Sequence, residues 1–303
     1  MNIQRSKIWM TAITMLVVSY WVLVVLLIVS CSSGEDSIRT PEPLPITFSL
    51  QKQGTRAADG YVAEGIIPID REIGVFAYYQ GTDNWNSNKQ EPSQMYNQRM
   101  TVKDTNGNLT YSPLHYWPNN KAGEVEKKLT FVAYYPYSAT HSGERGVMID
   151  ETDISKGSAK IEFRQYEKAS EQTDLMISKW IHDKSRNSTQ PKFSFNHMLA
   201  KVKINVSGVI PTTVTLKHVG MSAYIDFLDK DTPTWDAASM KYGIATIDNF
   251  SGDSPILLMI PQSTSGIKII VEHSGGTKEA DLPTTGSGKW EAGKYYQYNI
   301  TIN

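Results

Sequence analysis

Lys201-Val202-Lys203-Ile204-Asn205-Val206, then Ser207-Gly208, then Val214-Thr215-Leu216-Lys217-His218-Val219, reads as two strands on either side of a turn. Apolar and polar residues alternate with period two, which sends Val202, Ile204 and Val206 to one face and their neighbours to the other. The same alternation recurs upstream in Ile46-Thr47-Phe48-Ser49-Leu50 and Leu129-Thr130-Phe131-Val132-Ala133-Tyr134. It recurs downstream in Tyr296-Gln297-Tyr298-Asn299-Ile300-Thr301-Ile302. Ile256-Leu257-Leu258-Met259-Ile260 and Ile267-Lys268-Ile269-Ile270-Val271 are denser and fit strands covered on one or both faces. Turn signals at Asn106-Gly107, Asn119-Asn120, Ser251-Gly252 and Gly275-Gly276 separate such runs. Only Tyr166 to Gln172 and Asp236 to Tyr242 offer room for short helices. Many short strands with turns at this spacing predict an all-β sandwich architecture.

The N-terminus is of another kind. Arg5 and Lys7 precede an apolar-to-neutral run from Ile8 to Val29, followed by Ser30-Cys31-Ser32-Ser33-Gly34. A basic start, an apolar centre and a small-residue exit describe a signal peptide, here residues 1–30. The run is also long enough to span a bilayer, so an uncleaved anchor is the competing reading. Ile28-Val29-Ser30-Cys31 resembles the bacterial lipobox, in which the cysteine takes a diacylglyceryl chain. Cys31 is the protein's one cysteine, so it has no internal disulfide to make. Residues 31–45, with Pro41, Pro43 and Pro45, form a semi-extended tether. The remaining length suggests two domains. The polar stretch His182 to Pro191 carries no residue for a core strand, so we divide the body into 46–190 and 191–303.

The sequence carries no catalytic constellation. The 6 histidines are scattered without metal-ligand spacing, and no Gly-x-Ser-x-Gly elbow occurs. Gly286-Ser287-Gly288-Lys289 is followed by Trp290, where a phosphate loop needs a hydroxyl, so it reads as a hairpin turn. Asp226, Asp229, Asp231 and Asp236 form the densest acid cluster. A solvated acidic loop is the expectation there and calcium the alternative, since no glycine bends the loop. We expect no cofactor and no metal. A net charge of −1 without a basic block argues against nucleic acid as a partner. The tyrosines Tyr78, Tyr79, Tyr134, Tyr135, Tyr137, Tyr295, Tyr296 and Tyr298 sit in strand patterns and read as packing residues. Trp85, in the polar loop Gly81 to Asn86, is the candidate contact residue.

Several stretches, taken in order, resemble the fimbrillin-like lipoproteins of the Bacteroidetes, the subunits of type V pili. They are Ile73-Gly74-Val75-Phe76-Ala77-Tyr78-Tyr79, Tyr116-Trp117-Pro118, Leu129 to Pro136, and Thr173-Asp174-Leu175-Met176. Phe193-Ser194-Phe195-Asn196-His197-Met198-Leu199-Ala200-Lys201-Val202, Leu258-Met259-Ile260-Pro261-Gln262 and Trp290-Glu291-Ala292-Gly293-Lys294-Tyr295-Tyr296 complete the series. The resemblance runs from about Ile46 to the C-terminus.

It implies two tandem transthyretin-like β-sandwich domains and assembly with other pilus subunits by strand exchange. Such precursors reach the cell surface as outer-membrane lipoproteins, and Glu35 and Asp36 resemble the short acidic signal that follows the lipidated cysteine in these bacteria. A protease then cuts after an arginine and removes the first strand. Here the matching bond is Arg56–Ala57, and the strand displaced is that of Ile46, Phe48 and Leu50. The exposed, polar setting of Arg56 also fits an ordinary loop residue. Tyr296 to Ile302 reads as the second domain's own closing strand, with no apolar-patterned residues to spare beyond it. The expectation is therefore a pilus subunit that accepts a strand without donating one, at the tip or in an accessory position, contributing to adhesion to a host or bacterial surface ligand. The alternative is a surface lipoprotein of the same fold that binds carbohydrate or protein without polymerising. A β-sandwich hydrolase ranks third, for want of paired acids.

Overall fold

The alternating runs become strands, and what they pair with decides the architecture. The computed structural model describes residues 42–51, 57–58, 61–62, 67–86, 92–118, 124–139, 145–149, 160–226, 233–248, 250 and 256–302. Residues 43–120 and 125–303 form one compact unit; 1–42 and 121–124 group separately and lie almost wholly outside the described residues. The first strands are β1 Ser49–Leu50, β2 Ala57–Ala58, β3 Tyr61–Val62, β4 Glu72–Gly81, β5 Met95–Val102 and β6 Leu109–Thr110. Next come β7 Lys128–Tyr135, β8 Gly146–Ile149, β9 Lys160–Arg164, β10 Met176–Ser178, β11 Ile181–Lys184, β12 Lys192–Phe193 and β13 Phe195–His197. The rest are β14 Ala200–Ser207, β15 Pro211–Asp226, β16 Thr234–Trp235, β17 Lys241–Ile247, β18 Ile256–Met259, β19 Lys268–His273, β20 Gly276–Asp281 and β21 Tyr295–Thr301.

The all-β reading holds. The two short helices expected are single 3-10 turns, Ala169–Glu171 and Ala237–Ser239, and β17 already begins at Lys241. Asp236 caps the second turn by accepting the Ala238 amide at 3.0 Å. One sheet runs β13-β10-β7-β4-β5-β6, with β11 beside β7. A second runs β20-β19-β15-β9-β8, with β16 and β17 on the other flank of β15. A third is β18-β14-β21.

Ser207-Gly208 does not close a hairpin. It carries the chain from β14 in the third sheet to β15 in the second, an arch between layers. Gly208 has φ +87°, and a Cβ there would lie 2.1 Å from the Ile302 carbonyl oxygen, so only glycine fits. Gly286 to Lys289 is likewise a turn but not a hairpin, because β20 and β21 lie in different sheets; Lys289 bridges to Ser263 instead. Gly275-Gly276 is a true hairpin joining β19 to β20, and Asn106-Gly107 joins β5 to β6.

Burial departs from simple alternation in the central strands. On β4 and β7, Ile73, Val75, Ala77, Leu129, Phe131 and Ala133 enter one core, which also holds Ile46, Phe48 and Phe193. Phe76, Tyr78, Val132 and Tyr134 point to the opposite face and enter a second core with Ile149, Phe163, Ala223 and Ile225. Both faces of this sheet are covered, so a polar residue in the pattern, Thr130, is buried and needs partners. Its hydroxyl donates to Gln80 Oε1 at 2.7 Å and accepts the Asp183 amide at 3.1 Å. Gln80 Nε2 closes the network on Asp183 Oδ1 at 2.7 Å. The third core lies between β14, β15, β17, β19 and β21.

The polar stretch after Ile181 is more than a linker. Its first residues belong to β11, an edge strand bulged at Asp183 (φ +54°) and paired with β7. Its side chains are partly or wholly exposed, as a polar edge strand requires. Strands from both sides of residue 190 share sheets: β13 joins β10 and β7, while β8 and β9 join β15.

Candidate functional site

The segment Leu44 to Gln51 lies in a groove with a bank of backbone on each side. Toward residues 107–117, the Ile46 amide donates to the His115 carbonyl at 2.9 Å and the Leu50 amide to the Gly107 carbonyl at 2.8 Å. The Trp117 amide donates to Leu44 O at 2.9 Å and the Leu109 amide to Phe48 O at 3.1 Å, completing an antiparallel pairing. Toward residues 191–193, the Ser49 amide donates to Pro191 O at 3.2 Å and the Gln51 amide to Phe193 O at 2.7 Å. This bank runs parallel. The segment thus behaves as an inserted strand, though only Ser49–Leu50 forms a continuous ladder (β1).

Side chains deepen the insertion. Ile46 is 0% and Phe48 1% exposed. The Phe48 ring stacks on Phe193 (centroids 5.5 Å, 14°) and meets Phe131 edge-on at 5.2 Å and Tyr111 at 6.1 Å. Leu50 is half-buried and crosses over Gly107, where an added Cβ would sit 3.0 Å from the Leu50 Cβ. The Tyr111 hydroxyl donates to the Ile46 carbonyl at 2.7 Å, tying the strand to its antiparallel bank. Burial raises the Tyr111 phenol's pKa, with the hydrogen bond to the His115 backbone pulling the other way. Burial also holds the His115 imidazole below its ordinary range.

The groove therefore gathers Ile46, Phe48 and Leu50, expected from the sequence, with Gly107, Tyr111, His115 and Phe193, none of which the sequence marks as a groove wall. Asn106-Gly107 was legible only as a turn; nothing local marks Tyr111 or the short β12 as groove walls. Cys31 and Arg56 lie outside the described residues. Ala57 begins β2, which pairs with β3.

Trp85 is not the outward contact residue expected. It packs at 5.1 Å from both Tyr78 and Trp180 and 5.8 Å from His182, and its amide donates to Asp183 Oδ1 at 2.9 Å. The aromatic core beneath outcompetes the polar loop for the indole. Tyr78, Tyr134 and Tyr298 are buried, as packing residues should be, whereas Tyr79 is exposed. In the acid cluster, Asp226 ends β15 and Asp236 is spent on its cap, while Asp229 and Asp231 lie outside the described residues. Among the described residues no group of His, Cys, Asp or Glu is arranged to hold a metal ion.

Solved structures share this architecture. A candidate cell adhesion protein from Bacteroides uniformis superposes with a TM-score of 0.60 at 18% identity, over 86% of this chain and 94% of its own. A fimbrial protein from Bacteroides vulgatus does so with a TM-score of 0.52 at 17% identity, over 86% and 95%. At such identities the likeness is one of fold. In sequence, the chain is 26% identical over 249 residues to the fimbrium subunit Fim1C of Phocaeicola vulgatus. The match covers 72% of this chain and 61% of that protein's length. Residues 55–303 match the fimbrillin-like family, most of the described body included, and the chain therefore belongs to the fimbrillin-like family.

Proposed function

We propose that this protein is a fimbrial subunit or fimbria-associated surface protein that assembles by giving up the strand Leu44 to Gln51 and accepting a strand from another subunit in its place. One observation carries the reading: a short segment near the N-terminus is hydrogen-bonded on both sides yet joined to the body through residues 52–56. Such a strand can leave without tearing a continuous sheet. The emptied groove would then present unpaired amides and carbonyls beside an uncovered aromatic core, which strand addition satisfies. The family membership and the fimbrial name of the Phocaeicola relative support a role in fimbriae and adhesion at the cell surface rather than in catalysis.

In this proposal residues 1–30 are removed, Cys31 carries the lipid that holds the precursor to the outer membrane, and cleavage of Arg56–Ala57 frees the groove. The half-buried packing of Trp85 against Tyr78 and Trp180 supports this reading over a non-polymerising, ligand-binding alternative. Purifying fimbriae and reading the mature N-terminus tests the proposal. Assembled subunits should begin at Ala57, and Arg56→Ala should leave a lipid-anchored precursor starting at Cys31. Incorporation of Arg56→Ala at the wild-type level would sink it.

A further inference from the structure

We infer that the groove reads a specific side-chain pattern in the strand it accepts: aliphatic, any residue, aromatic, small, aliphatic. It therefore takes a strand of that pattern and not the C-terminal strand, residues 295–302, of a second copy of this chain. This rests on the strand-exchange reading and adds to it a choice of partner. Position 46 is enclosed (0% exposed) and holds an isoleucine, whereas Thr47 is exposed. Position 48 lies among Tyr111, Phe131 and Phe193, with one ring stacked and two at an angle, a box that an aromatic fills and a leucine leaves partly empty.

Position 49 breaks the alternation. Ser49 is only 5% exposed, flanked by Asn108 and Lys192 in the two banks, so a larger side chain has no open face to turn to. Position 50 crosses Gly107, whose φ of +80° and missing Cβ let the Leu50 backbone approach.

The chain's own C-terminal strand fails this test. With Tyr298 in the aromatic box, the small position receives Asn299 or, in the opposite direction, Gln297. In the first direction Tyr296 also falls where the groove encloses an isoleucine, bringing a hydroxyl with no provided partner.

The experiment uses the whole chain nicked at a specific protease site placed within residues 52–56, so that the resident strand stays bound until displaced. Fluorescein-labelled peptides then compete for the groove, read by anisotropy. One carries residues 44–51, two carry its Phe48→Leu and Ser49→Leu variants, and one carries residues 295–302. The native peptide should exchange in, each variant at least about ten-fold more weakly, and 295–302 not at all. Equal binding of the native and variant peptides would overturn the pattern while leaving strand exchange intact, and strong binding of 295–302 would overturn the exclusion of a second copy's C-terminal strand. If the native peptide never enters, even in mild denaturant that releases the resident strand, strand exchange itself fails and the pattern with it.

Discussion

Phe48 touches three aromatic rings at once, so Phe48→Ala removes both transferred surface and packing partners in a site that cannot collapse onto its flanking backbone. Such a loss costs about 3–5 kcal/mol, to be measured by urea denaturation of the full chain. Thr47→Ala, on the exposed side of the same strand, should stay within about 0.5 kcal/mol of wild type. His115 adds a pH dependence. Its folded pKa is depressed by burial, so the unfolded chain binds the proton more readily, and stability contributed by the neutral ring is lost as pH falls below the ordinary histidine value of about 6.5. Because the His115 carbonyl accepts the Ile46 amide, the protection of the Ile46 amide, measured as its exchange relative to the intrinsic rate at each pH, should fall between pH 7.5 and 5.5. The change should vanish in His115→Gln; its persistence would assign the effect to another group. Ile46, Phe48 and Leu50 were legible because their own alternation marks them. Tyr111 was not, since its role comes from a carbonyl 65 residues away in sequence.

At the scale of elements, β21 is held by both its ladder and its side chains. It runs parallel to β14 over Tyr295 to Thr301, and Tyr298 is 1% exposed. Its hydroxyl accepts the Trp290 indole N–H at 2.9 Å and the Thr285 hydroxyl at 3.2 Å. Tyr298→Phe leaves the buried indole without that acceptor and should cost about 1–3 kcal/mol by denaturant titration. Removing 297–303 strips Tyr298 and Ile300 from the core, so the truncated chain should unfold or lose many degrees in melting temperature. If it melts as wild type and merely stops polymer growth, β21 is a donor strand and the expectation of a subunit that accepts without donating is wrong. Other elements show where local patterns mislead. β15 reads as an alternating strand from Val214 to Val219, but spans 16 residues and runs on past a bulge at His218 (φ +61°), because β9 and β16 extend its ladder to Asp226. β11 is polar throughout its exposed face and becomes a strand only through pairing with β7.

For the whole molecule, the decisive feature is the core that mixes Phe76, Tyr78, Val132 and Tyr134 with Met198, Leu199, Ala223, Ile225 and Ile260. β15 carries Val214, Leu216, Val219 and Met221 into the third core and Ala223 and Ile225 into this mixed one. We propose that 46–190 and 191–303 act as two sandwich halves that lend strands to each other's sheets. On that arrangement the halves cannot lose their cores independently, and thermal unfolding should follow one transition by both tryptophan fluorescence and far-UV circular dichroism. Two well-separated transitions would mean that the mixed core contributes little.

Period-two alternation, glycine-bearing turns and the lack of any clustered metal or nucleophile pattern were enough to read an all-β chain and to mark the strand Ile46 to Leu50 from the sequence alone. Those features are local: they depend on a residue and its neighbours a few positions away. Which strands share a sheet, that β4 and β7 are covered on both faces, that Trp85 turns inward, and that the first strand lies between residues 107–117 and 191–193 were decided only in the tertiary structure. Each depends on pairings between segments far apart in the chain, which carry no short-range signature because any strand edge can in principle satisfy any other.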